Sequence, residues 1–247
     1  MALLRTRKGR ADGGYTRLFG DPQVGLLFSR VQAAVISAGE ELQKAITELS
    51  NTIEDVDAFL NADILPSGTF VVTKRQLKKS RQLNYAGVEP DFLVFQREGK
   101  RHHCYLVELK DGDTFDTKKA AGERESLHRF MVAVAPHIQF SMSIHFCCFN
   151  RNKREEIVHG FKRKITIDEA MTGPEFCELL ELDYQSVVAK RKEHQEENLR
   201  YFVEELARIP SMRVILSGLI QSDTAVSEED DPHSSPQQRC LEFSTEP

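Results

Sequence analysis

The stretch VEPDFLVFQREGKRHHCYLVELKDGDTFDTKK, residues 88–119, decides the architecture. It holds two short apolar runs, Phe92–Phe95 and Cys104–Val107, separated by a polar segment, Gln96–Arg101, in which Gly99 permits a turn. Continuous apolar runs of this length suit strands buried on both faces. Paired as a hairpin, they bring Asp91, at the start of the first strand, to the same end of the sheet as Glu108 and Lys110, at the end of the second. Side chains alternate with period two, so residues 108 and 110 share a face. Three charged side chains therefore gather beside an apolar sheet end.

Outward from this hairpin, helix and strand patterns alternate. Residues 1–20 are basic and glycine-containing with little periodicity, which predicts a loosely ordered arm. Asp21-Pro22 is a helix start, since Asp can cap and Pro suits the first turn. Val24, Leu27, Phe28, Val31, Val35, Leu42, Ile46 and Leu49 then form the stripe of a long amphipathic helix, expected to run to about Leu60. Pro66-Ser67-Gly68 breaks it, and Thr69–Thr73 reads as a strand. Beyond the hairpin, Leu127, Phe130, Met131 and Val134 predict a helix over Asp116–Val134, stopped by Pro136, and Phe140–Phe149 alternates as another strand. A helical C-terminal region follows, in which Leu199, Phe202 and Leu206 form a stripe suited to core or dimer contact. The order predicts one mixed α/β core over 21–220, its helical C-terminal part starting near 151, and an acidic, disordered tail over 221–247.

The net charge of −5 on 247 residues conceals local contrast. The tail carries seven acids against one arginine, so the remainder is near neutral with its cations clustered, and fields act over about 10 Å. No apolar run approaches the roughly 18 residues of a membrane span. The start, Met1–Leu4, is interrupted by Arg5, Arg7, Lys8 and Arg10 and is too short for a secretory signal. Five cysteines without a C-x-x-C pair read as reduced thiols, and a cytoplasmic protein is expected. His145, Cys147 and Cys148 lack the paired spacing of a zinc site, and His102 and His103 have no obvious partner. Neither G-x-x-x-x-G-K-[ST] nor G-x-S-x-G nor H-E-x-x-H occurs.

Two converging carboxylates oppose each other's ionisation unless a cation lies between them. Mg²⁺ answers this, taking oxygen ligands while keeping waters that phosphate oxygens can replace. A neighbouring ammonium can hold or help deprotonate an attacking water and stabilise charge growing on phosphorus. Asp91, Glu108, Lys110 and Mg²⁺ thus make a minimal kit for phosphodiester hydrolysis. The same spacing recurs at Glu98-Gly-Lys100 and Asp116-Thr-Lys118, but only Glu108 ends an apolar strand. Lys74, Arg75, Lys78, Lys79 and Arg81 place five cations in eight residues without an acid, a phosphate cradle just before Asp91. Lys118 and Lys119, at the start of the following helix, suit further backbone contacts. In a third zone, Arg151, Lys153, Arg154, Lys162, Arg163 and Lys164, phosphate contact and plain solvation stand equal.

Pro90-Asp91 followed by Glu108-x-Lys110 resembles the PD-(D/E)xK nuclease superfamily, and residues 108–119 and 175–180 resemble type II restriction endonucleases in particular. The resemblance covers about Asp21 to Asn150, more loosely to Ile209. It implies a restriction-endonuclease-like core, a central mixed β-sheet flanked by helices, and Mg²⁺-dependent, sequence-specific cleavage of double-stranded DNA leaving 5′-phosphate ends. It implies Asp91 and Glu108 as metal ligands and Lys110 as the catalytic lysine, with Glu41 the best-placed first-helix acid to join them. It further implies a homodimer and a companion DNA methyltransferase acting on the same site. A repair nuclease or junction resolvase on the same core, and a DNA-binding module with a vestigial site, are the alternatives the sequence leaves open.

Overall fold

The computed structural model describes residues 3–62, 66–85, 89–99, 101–112 and 117–227. In chain order its elements are α1 (Gly14–Phe19), α2 (Pro22–Leu49), α3 (Val56–Leu60), β1 (Gly68–Thr73), α4 (Lys74–Leu77), β2 (Phe92–Glu98), β3 (Arg101–Lys110), α5 (Thr117–Val134), β4 (Ser141–Cys148), α6 (Arg154–Gly160), β5 (Ala170–Thr172), α7 (Gly173–Leu179), α8 (Tyr184–Lys192), α9 (Gln195–Arg208) and α10 (Pro210–Ser227). The strands form one sheet in sequence order, β1-β2-β3-β4-β5. The first three are antiparallel and the last two join in parallel, so the sheet is mixed, as expected.

Period-two alternation assigns each strand residue to a layer. Leu93, Phe95, Cys104, Leu106, Phe146 and Cys148 point to the face covered by α5 and α6, through Leu127, Phe130, Ile157 and Phe161. Phe92, Val94, Val107, Leu109 and Cys147 point to the other face, covered by α2, α7 and α8 through Leu42, Ile46, Phe176 and Val187. Four buried cysteines, Cys104, Cys147, Cys148 and Cys177, are free thiols among the described residues. Gly99 makes the β2–β3 turn with φ +56°, a left-handed conformation that favours glycine.

Asp21 caps α2 as expected, its carboxylate accepting from the N–H groups of Gln23 and Val24. The helix ends at Leu49 rather than near Leu60. Ser50 closes it through two bonds to the Ile46 carbonyl, and the chain then meets the edge of β1, where Val71 donates to Asn51 O and accepts from Ile53 N–H. Edge strands offer such unpaired backbone groups, and α3 resumes the helical pattern only afterwards. Strand β5 lies within the stretch expected to be helical; three residues are too few to show a period. The arm expected over 1–20 carries a 3-10 turn at Leu4–Thr6 and α1. Leu4 is buried and its N–H donates to Asn198 Oδ1 at 2.7 Å. At the other end α10 extends to Ser227, into the expected tail; residues 228–247 lie outside the described residues. No described helix is long and apolar enough to cross a membrane.

His103 proves to be well partnered, its two ring nitrogens lying 2.8 and 2.7 Å from Ser141 Oγ and Ser143 Oγ. Ser143 in turn lies 2.7 Å from Nε2 of buried His145, whose Nδ1 has no hydrogen-bond partner. Burial pulls the pKa of His145 down to about 4. A histidine neutral in the fold but ordinary when unfolded leaves the unfolded state binding more protons between those two values. Stability contributed by its neutral form is therefore intact above about pH 6.5 and lost as pH falls toward 4, by roughly 3 kcal/mol at most. Urea unfolding from pH 7 to 4 is expected to show this slope in the wild type and a flatter one in His145→Gln; equal slopes would refute it.

Candidate active site

The hairpin register pairs Phe92 with Val107, so one step further out Asp91 stands opposite Glu108. Both belong to the parity that faces α5, as does Lys110. Asp91 is 8% exposed, and its Oδ2 accepts the Leu109 N–H at 2.9 Å, which fixes the carboxylate beside the backbone that links Glu108 to Lys110. Lys110 Nζ lies 2.9 Å from Glu108 Oε1 and 3.0 Å from Glu123 Oε1. Three of the sequence-derived residues thus meet at one sheet end, and α5 adds a fourth.

The electrostatics are those of carboxylates drawn out of water together. Burial pushes the pKa of Asp91 up, against the Leu109 N–H and the charges of Lys74 and Lys110. Burial also raises Glu108, and the charge of Asp91 raises it further, while Lys110 pulls it back. Burial works against the charge of Lys110 itself, but Glu108 and Glu123 outweigh it and hold the ammonium above the usual lysine range. An amine clasped by two carboxylates keeps its proton.

Other side chains brace this end of the sheet. Gln43 of α2 hydrogen-bonds Asp91. Asp111, directly after Lys110, pairs with Arg191 of α8 and accepts from Asn150 Nδ2, and Arg191 lies 5.5 Å over the Phe149 ring. Phe149 N–H donates to Lys110 O, so α8, β4 and the end of β3 are tied together. Glu41 is not part of this group: it pairs with Arg7 at 2.9 Å, on a cavity of about 310 Å³ also lined by Lys44, Lys190 and His194. Glu41 and Gln43, two positions apart on a helix, point in different directions, and the first-helix side chain that reaches Asp91 is Gln43.

The basic run begins in α4 at this same end, where Lys74 N–H donates to Asp91 O at 3.3 Å. Lys74, Arg75, Lys78, Lys79 and Arg81 are all exposed. Its far part faces acids: Lys79 and Arg81 line a cleft of about 650 Å³ with Glu54, Asp55 and Asp57. The Ser80 hydroxyl and the Arg81 N–H hold Asp57 below the usual carboxylate range. Lys118 and Lys119 fall in the first turn of α5, but their side chains lie outside the described residues, as do Lys100 and Asp116. Glu98 is exposed at the opposite end of the hairpin. In the third basic zone Arg151 and Arg154 are ion-paired with Glu156 and Glu175, whereas Lys162, Arg163 and Lys164 are exposed in a turn with positive φ at the first two. Glu175 also closes the capping box that starts α7, which gives residues 175–180 a structural task.

Glu123 and Gln43 escaped the sequence reading. The only signal for Glu123 was a carboxylate nearly two helical turns into the helix after Glu-x-Lys, a pattern shared by many surface helices.

Among the described residues no three His, Cys, Asp or Glu side chains converge as a full metal cage. Asp91 and Glu108 nonetheless fit Mg²⁺: both donors are oxygen, Asp91 is buried and Glu108 half-buried, and the charge of Asp91 raises the cost of ionising Glu108. Mg²⁺ commonly uses one or two carboxylates and completes its shell with water and phosphate oxygens.

The chain is 39% identical over 221 residues to the type II restriction enzyme HhaII of Haemophilus parahaemolyticus, a match covering 86% of this chain and 97% of that protein. No protein-family profile and no solved structure matches the chain significantly.

Proposed function

The chain belongs to the type II restriction enzymes, and from that premise we propose that it is a PD-(D/E)xK nuclease cutting double-stranded DNA at a specific sequence with Asp91, Glu108, Lys110 and Mg²⁺. Family membership makes it a site-specific deoxyribonuclease, which sets aside the repair-nuclease and pure-binding readings. The observation that carries the assignment of the site is the convergence of Lys110 and Glu108 on the sheet end where Asp91 is anchored by the Leu109 N–H.

Asp91 and Glu108 would hold the metal. When bound, Mg²⁺ supplies Lewis-acid stabilisation of charge on the phosphoryl oxygens. Leu109 N–H and Gln43 keep Asp91 aimed, so little reorganisation is needed when DNA arrives. Lys110 acts as an ammonium: it orients the attacking water and stabilises negative charge on the phosphorane, and Glu123 would still hold it were Glu108 engaged by the metal. Water adds to phosphorus, the bond to the 3′-oxygen breaks, and the products are a 5′-phosphate and a 3′-hydroxyl. Lys74, Arg75, Lys78, Lys79, Arg81, Lys118 and Lys119 neutralise the flanking backbone. Two copies, one per strand, form a homodimer, and a DNA methyltransferase of the same sequence preference protects the host DNA. The enzyme works in the cytoplasm, where that DNA lies.

The test is digestion of a long, sequence-diverse, unmethylated DNA with Mg²⁺, followed by sequencing of the ends. Discrete fragments with one shared end sequence are expected, abolished by EDTA. Random degradation, or cutting unaffected by EDTA, would contradict the proposal.

A further inference from the structure

Among the described residues no other element packs on the outer half of α9, whose Arg208 pairs only within the helix, with Glu204 and Glu205. Its inner face is fully used: Phe202 and Leu206 pack against the small cluster of Val24, Leu27 and Ile209, and Tyr201 and Glu205 engage Arg30. Positions 196, 199, 200, 203, 204, 207 and 208 are all exposed and follow one another at three- and four-residue steps along a single face. Leu199 and Val203 are 65% and 54% exposed at its centre, and Val214 and Ile215 of the adjoining α10 are 74% and 54% exposed. The cluster beneath has only three buried residues, so this apolar surface is large for the core that supports it. Contiguous apolar surface rimmed by charge marks an interaction site.

The charges name the occupant. Glu196, Arg200, Glu204 and Arg208 alternate in sign every four residues beside Leu199 and Val203. Laid antiparallel on its own copy about a two-fold axis near residue 202, this row sets Glu196 against Arg208 of the partner and Arg200 against Glu204 of the partner, four opposite-sign contacts in all. A parallel arrangement would set like charge on like. DNA is a poor occupant, because two acids cancel two bases. A row that complements itself only under two-fold symmetry is what an isologous interface requires, and flanking charges of this kind set orientation in paired helices.

We infer that the outer face of α9, continued by Val214 and Ile215 of α10, is the surface through which two copies of this chain associate, with the α9 helices antiparallel. This rests on the homodimer proposed above and goes beyond it by placing the interface and its register.

The test uses the purified full-length chain, its mass followed against dilution by light scattering and sedimentation, with the thermal melt as a check of folding. Wild type is expected at twice the 28.1 kDa chain mass. Leu199→Glu with Val203→Glu is expected to be monomeric, its dissociation constant raised at least about tenfold. Charge reversal decides the register and serves also if that variant fails to fold. Arg200→Glu alone should weaken the dimer severalfold, and Arg200→Glu with Glu204→Arg should restore it. Within one helix the single and the double exchange each leave two like-charge i,i+4 pairs and one opposite pair, so an effect confined to the helix would leave the double exchange as weak as the single. A dimer indifferent to all these changes would overturn the placement and leave the homodimer standing. A wild type that is monomeric while cutting DNA would overturn both.

Discussion

Replacing Lys110 with alanine is expected to lower the rate of DNA cleavage by about 10³-fold or more while leaving DNA affinity, measured in Ca²⁺, within about threefold of wild type. The size follows from the position. Lys110 Nζ is the one cation within hydrogen-bond reach of both Glu108 and Glu123 among the described contacts, and it stands on the same strand face as the carboxylate proposed to hold the metal. Stabilising charge that exists only in the transition state affects turnover rather than binding. DNA affinity, by contrast, is proposed above to rest on the exposed cations of the α4 region, which the substitution leaves alone. Glu123→Gln should be milder, about tenfold in rate, because the amide still accepts a hydrogen bond from the lysine but no longer competes for its charge. Single-turnover cleavage and filter binding on one oligonucleotide duplex separate the two quantities. A Lys110→Ala protein cutting within tenfold of wild type would remove Lys110 from the chemistry, and a large loss of binding would make it a structural residue instead.

How much of this was legible beforehand depends on the kind of interaction. The hairpin, its register and the meeting of residues 91, 108 and 110 follow from apolar run length and period two, because a one-residue slip would bury Glu108 and Lys110 among the α2-facing core residues. The cap at Asp21 is equally local. What the sequence could not display were contacts between elements distant along the chain. Gln43 reaches Asp91 only because α2 passes the end of β2, and Glu41, two residues away on the same helix, is turned toward Arg7. Arg191 is drawn to Asp111 across 80 positions, and no local pattern announces it. The early end of α2 had a similar cause: apolar spacing continued toward Leu60, but the unpaired edge of β1 captured residues 51–53. His103 shows no partner in the sequence because Ser141 and Ser143 lie on a strand brought alongside only by the parallel crossover.

Asp91→Asn should abolish cleavage, by about 10³-fold or more, and at the same time make the metal-free protein more stable. The two effects share one cause. In the absence of metal Asp91 is a buried carboxylate whose pKa is raised by desolvation and whose charge also raises Glu108. A carboxyl group held above its unfolded pKa costs stability once the pH exceeds that unfolded value, and the full cost is present above the folded one. Asparagine removes the charge but keeps an oxygen able to accept the Leu109 N–H, so the geometry of the strand end survives. A gain of about 1 kcal/mol, or roughly 2–4 °C in Tm, is expected at neutral pH, and it should fade on acidification as the wild-type carboxylate takes up its proton. Saturating Mg²⁺ should reverse the order, because a ligand that binds only the folded wild type stabilises it by mass action while the variant gains little. The measurement is a set of four melts, two proteins with Mg²⁺ or EDTA, repeated at pH 7.5 and near pH 5. If Asp91→Asn is less stable than wild type in EDTA at neutral pH, Asp91 is held as a structural anion rather than kept ionised for a metal. If Mg²⁺ raises both melts equally, the ion binds elsewhere.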